Sequence, residues 1–318
     1  MKKTMINQVV LEGRIFSHSI EEREVQNKDS QNYGTPFLSG AVDVAVDEEG
    51  LNVVSVHFSY VTEKTKSGQE NKTYSALKRI KEEERTWAKV GKDNAQKINV
   101  RSAIALNDFI NNQNELVSAK RVEGGFITLM PDSAELRPVK ERNTFNTDMV
   151  ITSVTRVEKD AEKNILEDYC VIRGAIFNFK NDLLPLEYTI KIPSGMKYFE
   201  DKSPSQSEPL FTRVWGNINS YTKTITQETE SAFGEAAVTT YQRTEKEWVI
   251  TGALNEAYDF GDESALTGDE LIKAAQDREV HLSEVKKRNE EYKAQKASNV
   301  SAPQASINNI NPNQTFNF

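Results

Sequence analysis

An aliphatic run broken by glycine occurs twice in this sequence, and neither a flat sheet nor a helical bundle has a use for it. Val9-Val10-Leu11-Glu12-Gly13-Arg14-Ile15 and Cys170-Val171-Ile172-Arg173-Gly174-Ala175-Ile176 share apolar residues, then a charge, glycine, any residue and isoleucine. Glycine inside a strand marks a bulge or a close approach of backbone, so each run suits the bent strand of a small barrel. A second echo follows each at a similar distance, V-R-S-A-I-A-L-N-D-F from Val100 and V-I-T-G-A-L-N-E-A-Y from Val249. The simplest reading is two similar β units in tandem, and 318 residues is long enough for about two domains.

Read in order, residues 37–46 alternate, Asp47-Glu48-Glu49-Gly50 makes a hairpin turn, and residues 51–61 form a clear strand. These follow the opening strand as the first half of a barrel, after a polar surface segment at 18–32 read as a loop or short helix. Residues 62–71 read as a basic, polar loop. Residues 74–84 form a short amphipathic helix with Tyr74, Leu77 and Ile80 on one side. Later strands fall at 98–106 and 125–130. Prolines and mixed charge make 131–146 a linker, so the first unit is 1–130 and the second 147–260. In the second unit, strands are expected at 149–158, 165–179, 186–192, 210–221 and 238–254. A Ser/Pro-rich loop is expected at 198–209 and an exposed hairpin arm or loop at 222–237. Residues 261–297 are a helical segment, with Asp269 and Glu270 early and Lys286, Lys287 and Lys293 late, matching the macrodipole. Its apolar stripe is thin and suits docking on a barrel or on another copy of the chain, so oligomeric state stays open. Residues 298–318 carry no Asp, Glu, Lys or Arg and are expected to be a disordered tail.

No apolar run approaches the length of a membrane span, the first residues do not read as a signal peptide, and the single cysteine fits a reducing compartment, so a cytoplasmic protein is expected. A net charge of −8 argues against a generic basic nucleic-acid binder. The acid excess, however, lies beyond residue 130. The first 130 residues are neutral and concentrate Lys64, Lys66, Lys72, Lys78, Arg79 and Lys81 in one interval. The search for catalysis is nearly empty. His18, His57 and His281 sit in separate segments without partners at ligand spacing, and Cys170 lies inside a strand. Gly68-Gln69-Glu70-Asn71-Lys72-Thr73 lacks the glycines of a phosphate loop. No enzyme, cofactor or metal is expected.

The opening segment, Met5-Ile6-Asn7-Gln8-Val9-Val10-Leu11-Glu12-Gly13-Arg14-Ile15, resembles the first strand of bacterial and phage single-stranded DNA-binding proteins. Those begin with Met-Ile-Asn, an apolar pair and Gly-Arg-aliphatic. Trp87-Ala88-Lys89-Val90-Gly91-Lys92 is similar to the family's Trp-x-x-Val segment with its Gly-Lys turn, and Phe211-Thr212-Arg213-Val214-Trp215-Gly216-Asn217 to a shortened form of it. Long insertions separate these segments, and there are two units where the bacterial protein has one. The resemblance implies a mainly β chain of two tandem OB-fold-like barrels, each with a helix between its third and fourth strands. It also implies a protein that coats single-stranded DNA in phage replication or recombination. Relatives end in an acidic tip with a terminal aromatic or aliphatic pair that recruits replication partners. Here Phe316 and Phe318 keep the aromatic end without the acid, and stand as partner-binding candidates.

Binding a single strand calls for ring faces on which bases stack, interleaved with cations that follow the backbone. The candidates in the first unit are Arg14, Phe16, Phe58, Tyr60, Lys64, Lys66, Lys72, Tyr74, Lys78, Arg79 and Trp87. In the second they are Arg173, Phe177, Phe179, Lys180, Lys191, Lys197, Tyr198, Phe199, Arg213, Trp215, Tyr221 and Arg243. Core packing competes for every aromatic on this roll, Phe58 and Tyr60 above all, because they share parity with Val54 and Val56. The rival reading is a non-enzymatic phage assembly or interaction protein whose acidic second unit binds protein.

Overall fold

The computed structural model describes residues 5–160, 162, 165–229, 237–261 and 266–300, with backbone alone at 227–229, 237 and 297–300. The first barrel contains β1 (Asn7–His18), the short edge strand β2 (Glu21–Glu24), β3 (Pro36–Ala45), β4 (Val53–Val61), helices α1 (Lys72–Glu83) and α2 (Trp87–Val90), β5 (Lys97–Ile110) and β6 (Leu116–Leu129). β1 pairs with β3 and β5, β3 with β4, β5 with β6, and the ring closes through a parallel β4–β6 contact. The second barrel repeats this order. It contains β7 (Asn143–Val157), β8 (Tyr169–Phe177), β9 (Leu183–Ile190), α3 (Pro193–Lys202), β10 (Leu210–Thr229) and β11 (Ala237–Ala253). Here β7 pairs with β8 and β10, β8 with β9, β10 with β11, and a parallel β9–β11 contact closes it. A five-stranded ring with a helix between strands three and four is the OB arrangement, present twice.

Alternation fills each ring. Val9, Leu11, Ile15, Val42, Val44, Val54, Val56 and Phe58 point into the first, and Phe145, Met149, Ile172, Tyr188, Ile190 and Trp248 into the second. The helices act as plugs. Asn71 caps α1 by accepting from Thr73 N at 3.1 Å, which aims Tyr74, Leu77 and Ile80 at the open barrel end. In α3, Met196 and Phe199 do the same. Residues 198–202 were expected in a loop; proline at the first turn starts this helix, and its buried pair outweighs the Ser/Pro composition that follows.

The two glycine-broken runs are not the same strand of the two barrels, as the repeat implied. Gly13 lies on strand one (β1), Gly174 on strand two (β8). Both sit at the joint where those strands cross. A Cβ on Gly13 would come within 2.1 Å of Ala45 O, and one on Gly174 within 2.1 Å of Val150 O. The close approach recurs, but opposite strands supply the glycine. The downstream echoes are likewise out of step, since Val100 lies on β5 and Val249 on β11.

The barrels are fused rather than strung together. β1 and β7 pair antiparallel, Asn7 opposite Thr147 through Leu11 opposite Asn143. Each barrel's long fourth and fifth strands then reach over its neighbour. From β6, Lys120 Nζ donates to Glu187 O at 2.9 Å over the Trp248 ring; from β10, Thr222 N donates to Leu51 O at 3.0 Å. Finally Leu266 and the first turns of α4 (Gly268–Val300), through Leu271 and Ala274, pack on the second barrel. Arg278 then clamps the buried Asp108 of β5 at 2.6 and 2.7 Å. Beyond Val300 the chain, including Phe316 and Phe318, lies outside the described residues.

Candidate nucleic-acid interface

On an OB barrel the outer face of strands two and three offers itself to a single strand. In the first barrel β4 alternates regularly as far as Phe58, with Val54, Val56 and Phe58 inside and Ser55 and His57 outside. There the register slips: Gly40 pairs with Phe58 but Leu38 with Val61, so two residues of β4 oppose one of β3. That bulge carries Tyr60 to the outside, where it is 47% exposed and meets the half-buried Phe37 at 4.7 Å between ring centroids. Immediately beyond the strand comes the loop with Lys64 and Lys66, followed by Lys72 and Lys78 on α1. None of these four forms an ion pair among the described residues, and all are exposed.

The same outer face continues as a polar strip. Asp43 accepts from Ser17 at 2.6 Å and Ser55 at 2.5 Å, and Arg121 pairs with Glu123 at 2.7 Å beside Ser59. His57 lies among them; burial first, then the charges of Arg121 and Lys246, push its pKa down, so it is neutral at pH 7. Lys246 arrives from the β10–β11 arm of the other barrel. That arm carries exposed Tyr221 and Tyr241 and sets Lys223 directly opposite Arg243. At its base Trp215, 39% exposed, lies flat over Gly252, where a Cβ would come within 2.5 Å of the ring.

The equivalent face of the second barrel is different. Arg173 pairs with Glu187 at 3.2 Å, Lys191 with Glu167 and Glu247 at 2.9 and 2.7 Å, and Arg156 with Asp168 at 2.9 Å. These three cations are already balanced by carboxylates, and Phe177 of β8 and Tyr188 of β9 are inside.

Four sequence candidates are core residues, which corrects the expectation that they stack on bases: Phe58, Tyr74, Phe177 and Phe199 are each no more than 7% exposed. Phe58 keeps the parity of Val54 and Val56, and Tyr74 and Phe199 belong to the helical plugs. Arg213 is held by Asp148 at 2.8 Å, and Tyr198 donates its hydroxyl to Leu254 O at 3.0 Å. Arg79 pairs with Glu83 one turn on at 2.6 Å. Phe16 and Trp87 pack on each other at 6.1 Å beside Lys92. Phe179 is 91% exposed next to Lys180, and Lys197 is exposed on α3, each away from the Phe37–Tyr60 pair in the fold. Arg14 is half-buried on β1. Sequence reasoning passed over Phe37, Arg121, Tyr241 and Lys246. Strand parity was a signal for the first, since Phe37 alternates with Leu38.

Among the described residues no group of three His, Cys, Asp or Glu side chains could hold a metal ion, and no helix is long and apolar enough to cross a membrane. Cys170 is buried, and burial followed by Glu200 pushes its thiol pKa up, away from a nucleophile. Behind Trp87, Glu48 bridges Lys92 at 2.8 Å and Arg142 at 2.6 Å, which hold its carboxyl at about 2 against an ordinary 4.5. A depressed folded pKa gives stability that is present above pH 4.5 and lost as pH falls toward 2. Thermal melts should therefore show Glu48→Gln below wild type at pH 6, with the gap closing between pH 4.5 and pH 2; a gap that stays constant would contradict the bridge.

No curated protein matches the sequence. Among solved structures, a variant of the single-stranded DNA-binding protein from Thermus aquaticus, carrying an internal deletion and an arginine-to-alanine substitution, is similar at 12% identity. The match covers 82% of this chain and 98% of that one, with a TM-score of 0.45. A replication protein A heterotrimer bound to single-stranded DNA aligns over 86% of this chain and 70% of that one, at 11% identity and a TM-score of 0.22. The family model described as YorF matches residues 6–311, nearly the whole chain, and the protein accordingly belongs to the YorF family.

Proposed function

We propose that this protein binds single-stranded DNA stoichiometrically, by stacking bases on exposed rings and neutralising phosphates with lysines, and does so without turnover. Its place would be the host cytoplasm, coating strands exposed during replication or recombination of a phage or mobile-element genome. The observation that carries this reading is the Phe37–Tyr60 ring pair on the outer face of strands two and three, with Lys64 and Lys66, exposed and without an ion pair among the described residues, following Tyr60 in the chain. Lys246 extends positive charge along the same face, where Arg121 is already balanced by Glu123. The paired cations of the second barrel favour a supporting role for it, or the rival one of holding a protein partner.

The test is titration of a labelled deoxythymidine oligonucleotide with the full chain at two salt concentrations. For single strands log K falls with log salt by about 0.7 per phosphate neutralised, so wild type should show a steep slope. Lys64→Gln with Lys66→Gln should flatten it by about 1.4, two phosphates' worth. Absence of saturable binding at low salt would eliminate the proposal and leave the protein-interaction reading.

A further inference from the structure

Two like charges face each other across the β1–β5 ladder, and among the described residues neither has a carboxylate within ion-pair distance. Arg14 on β1 and Lys97 on β5 are directly opposite partners in the antiparallel ladder, so their side chains leave the same face side by side. Like charges so placed destabilise a sheet unless something offsets them. Neither forms an ion pair among the described residues. Lys97 Nζ donates to two backbone carbonyls, Asp132 O and Ala134 O, both at 2.7 Å. Arg14 is less well served: Nη1 makes one long contact, 3.4 Å to Ala95 O, and Nε has no partner although it is shielded from solvent.

Both residues line one pocket of about 370 Å³, walled by residues 133–136 and by Glu48 and Arg142. The carboxylates there do not answer the pair. Glu48 is spent on Arg142 and Lys92. Glu135 is exposed and makes no ion pair among the described residues. Hydroxyl-bearing Ser133 stands on the same wall. A guanidinium, an ammonium and a hydroxyl around a solvent-open cavity match the oxygens of a phosphate group.

We propose that this pocket binds a phosphate group, with Arg14 and Lys97 as its ligands. The phosphate comes either from a free anion or from the backbone of a bound strand. The site does not rest on the stacking face, which lies on other strands. Calorimetric titration of the full chain with pyrophosphate, at ionic strength held constant with chloride, tests the first source. Saturable one-to-one binding is expected, weakened about tenfold or more in Arg14→Gln and in Lys97→Gln and tightened in Glu135→Gln. The oligonucleotide titration tests the second source: there, each of the two substitutions should reduce the salt slope by about 0.7. An effect in either arm supports the site and names the source. If pyrophosphate binding is absent or indifferent to all three substitutions, and the oligonucleotide slope is also unchanged, the proposal is overturned. Loss of all oligonucleotide binding with pyrophosphate binding intact would sink the single-strand reading and leave this one standing.

Discussion

Asp148→Ala is expected to be the most damaging single side-chain truncation outside the apolar core, because one carboxylate ties three parts of the chain to the seam between the barrels. Asp148 is 1% exposed and sits one residue beyond Thr147, where β7 stops pairing with β1. Its Oδ2 accepts from Ile6 N at 2.8 Å, just before β1 begins, and its Oδ1 from Arg213 Nε on β10, also at 2.8 Å. Tyr258 donates to Oδ1 at 3.4 Å. Truncation would leave a guanidinium beside an empty cavity and a backbone N–H without an acceptor. Losing one partner of a buried pair costs about 3–5 kcal/mol, and since Arg213 retains partial exposure the low end, about 3 kcal/mol, applies. A chain of this size should then melt roughly 4–6 °C lower. Arg213→Ala should be comparably harmful, since it strands the buried carboxylate. The double substitution should cost clearly less than the two single costs added together. Additive losses by thermal denaturation would show that the pair does not act as a unit.

The seam explains what the sequence could and could not disclose. Barrel content was legible because Val9-Val10-Leu11 is an aliphatic run broken by Gly13 and residues 51–58 alternate over a half-buried surface, and α1 was legible because Tyr74, Leu77 and Ile80 recur at helical spacing. The first strand of the second barrel was harder to place. β7 pairs along one edge with β1 over Asn143–Thr147 and with β8 from Met149, while β10 takes its other edge, and pairing between distant strands leaves no local periodicity. The glycine motif misled for a related reason. It records that two backbones cross closely, and either strand can supply the missing side chain, as Gly13 and Gly174 do. The site was half-legible. The basic interval from Lys64 to Lys78 is exposed as its composition implied, whereas Tyr60 was assigned the parity of Phe58. A bulge is an insertion in pairing, not in sequence, so the strand pattern runs on undisturbed through the residue it turns outward.

That bulge sets the largest expected effect on binding. In the proposed complex a base lies on Tyr60, and stacking on an aromatic side chain is worth about 1–3 kcal/mol per base by alanine substitution. Tyr60→Ala should therefore weaken oligonucleotide binding by about 5- to 150-fold at fixed salt, since 1.4 kcal/mol is about a factor of ten. The ring supplies the stacking surface and its hydroxyl forms no hydrogen bond among the described residues, so Tyr60→Phe should bind as wild type does. Phe37→Ala should cost less. Phe37 is half-buried and acts chiefly by holding the Tyr60 ring in place, and because the two rings touch, the double substitution should fall short of the summed losses. Neither truncation should change the salt slope, because no phosphate contact is removed, which separates ring loss from the loss at Lys64 and Lys66. Melting temperatures within a few degrees of wild type would show that the barrel survives, as expected for a ring nearly half in solvent. Should Tyr60→Ala bind the oligonucleotide as tightly as wild type, the outer face of β3 and β4 is not where the strand lies, and the arm residues Trp215, Tyr221 and Tyr241 become the rings to truncate next.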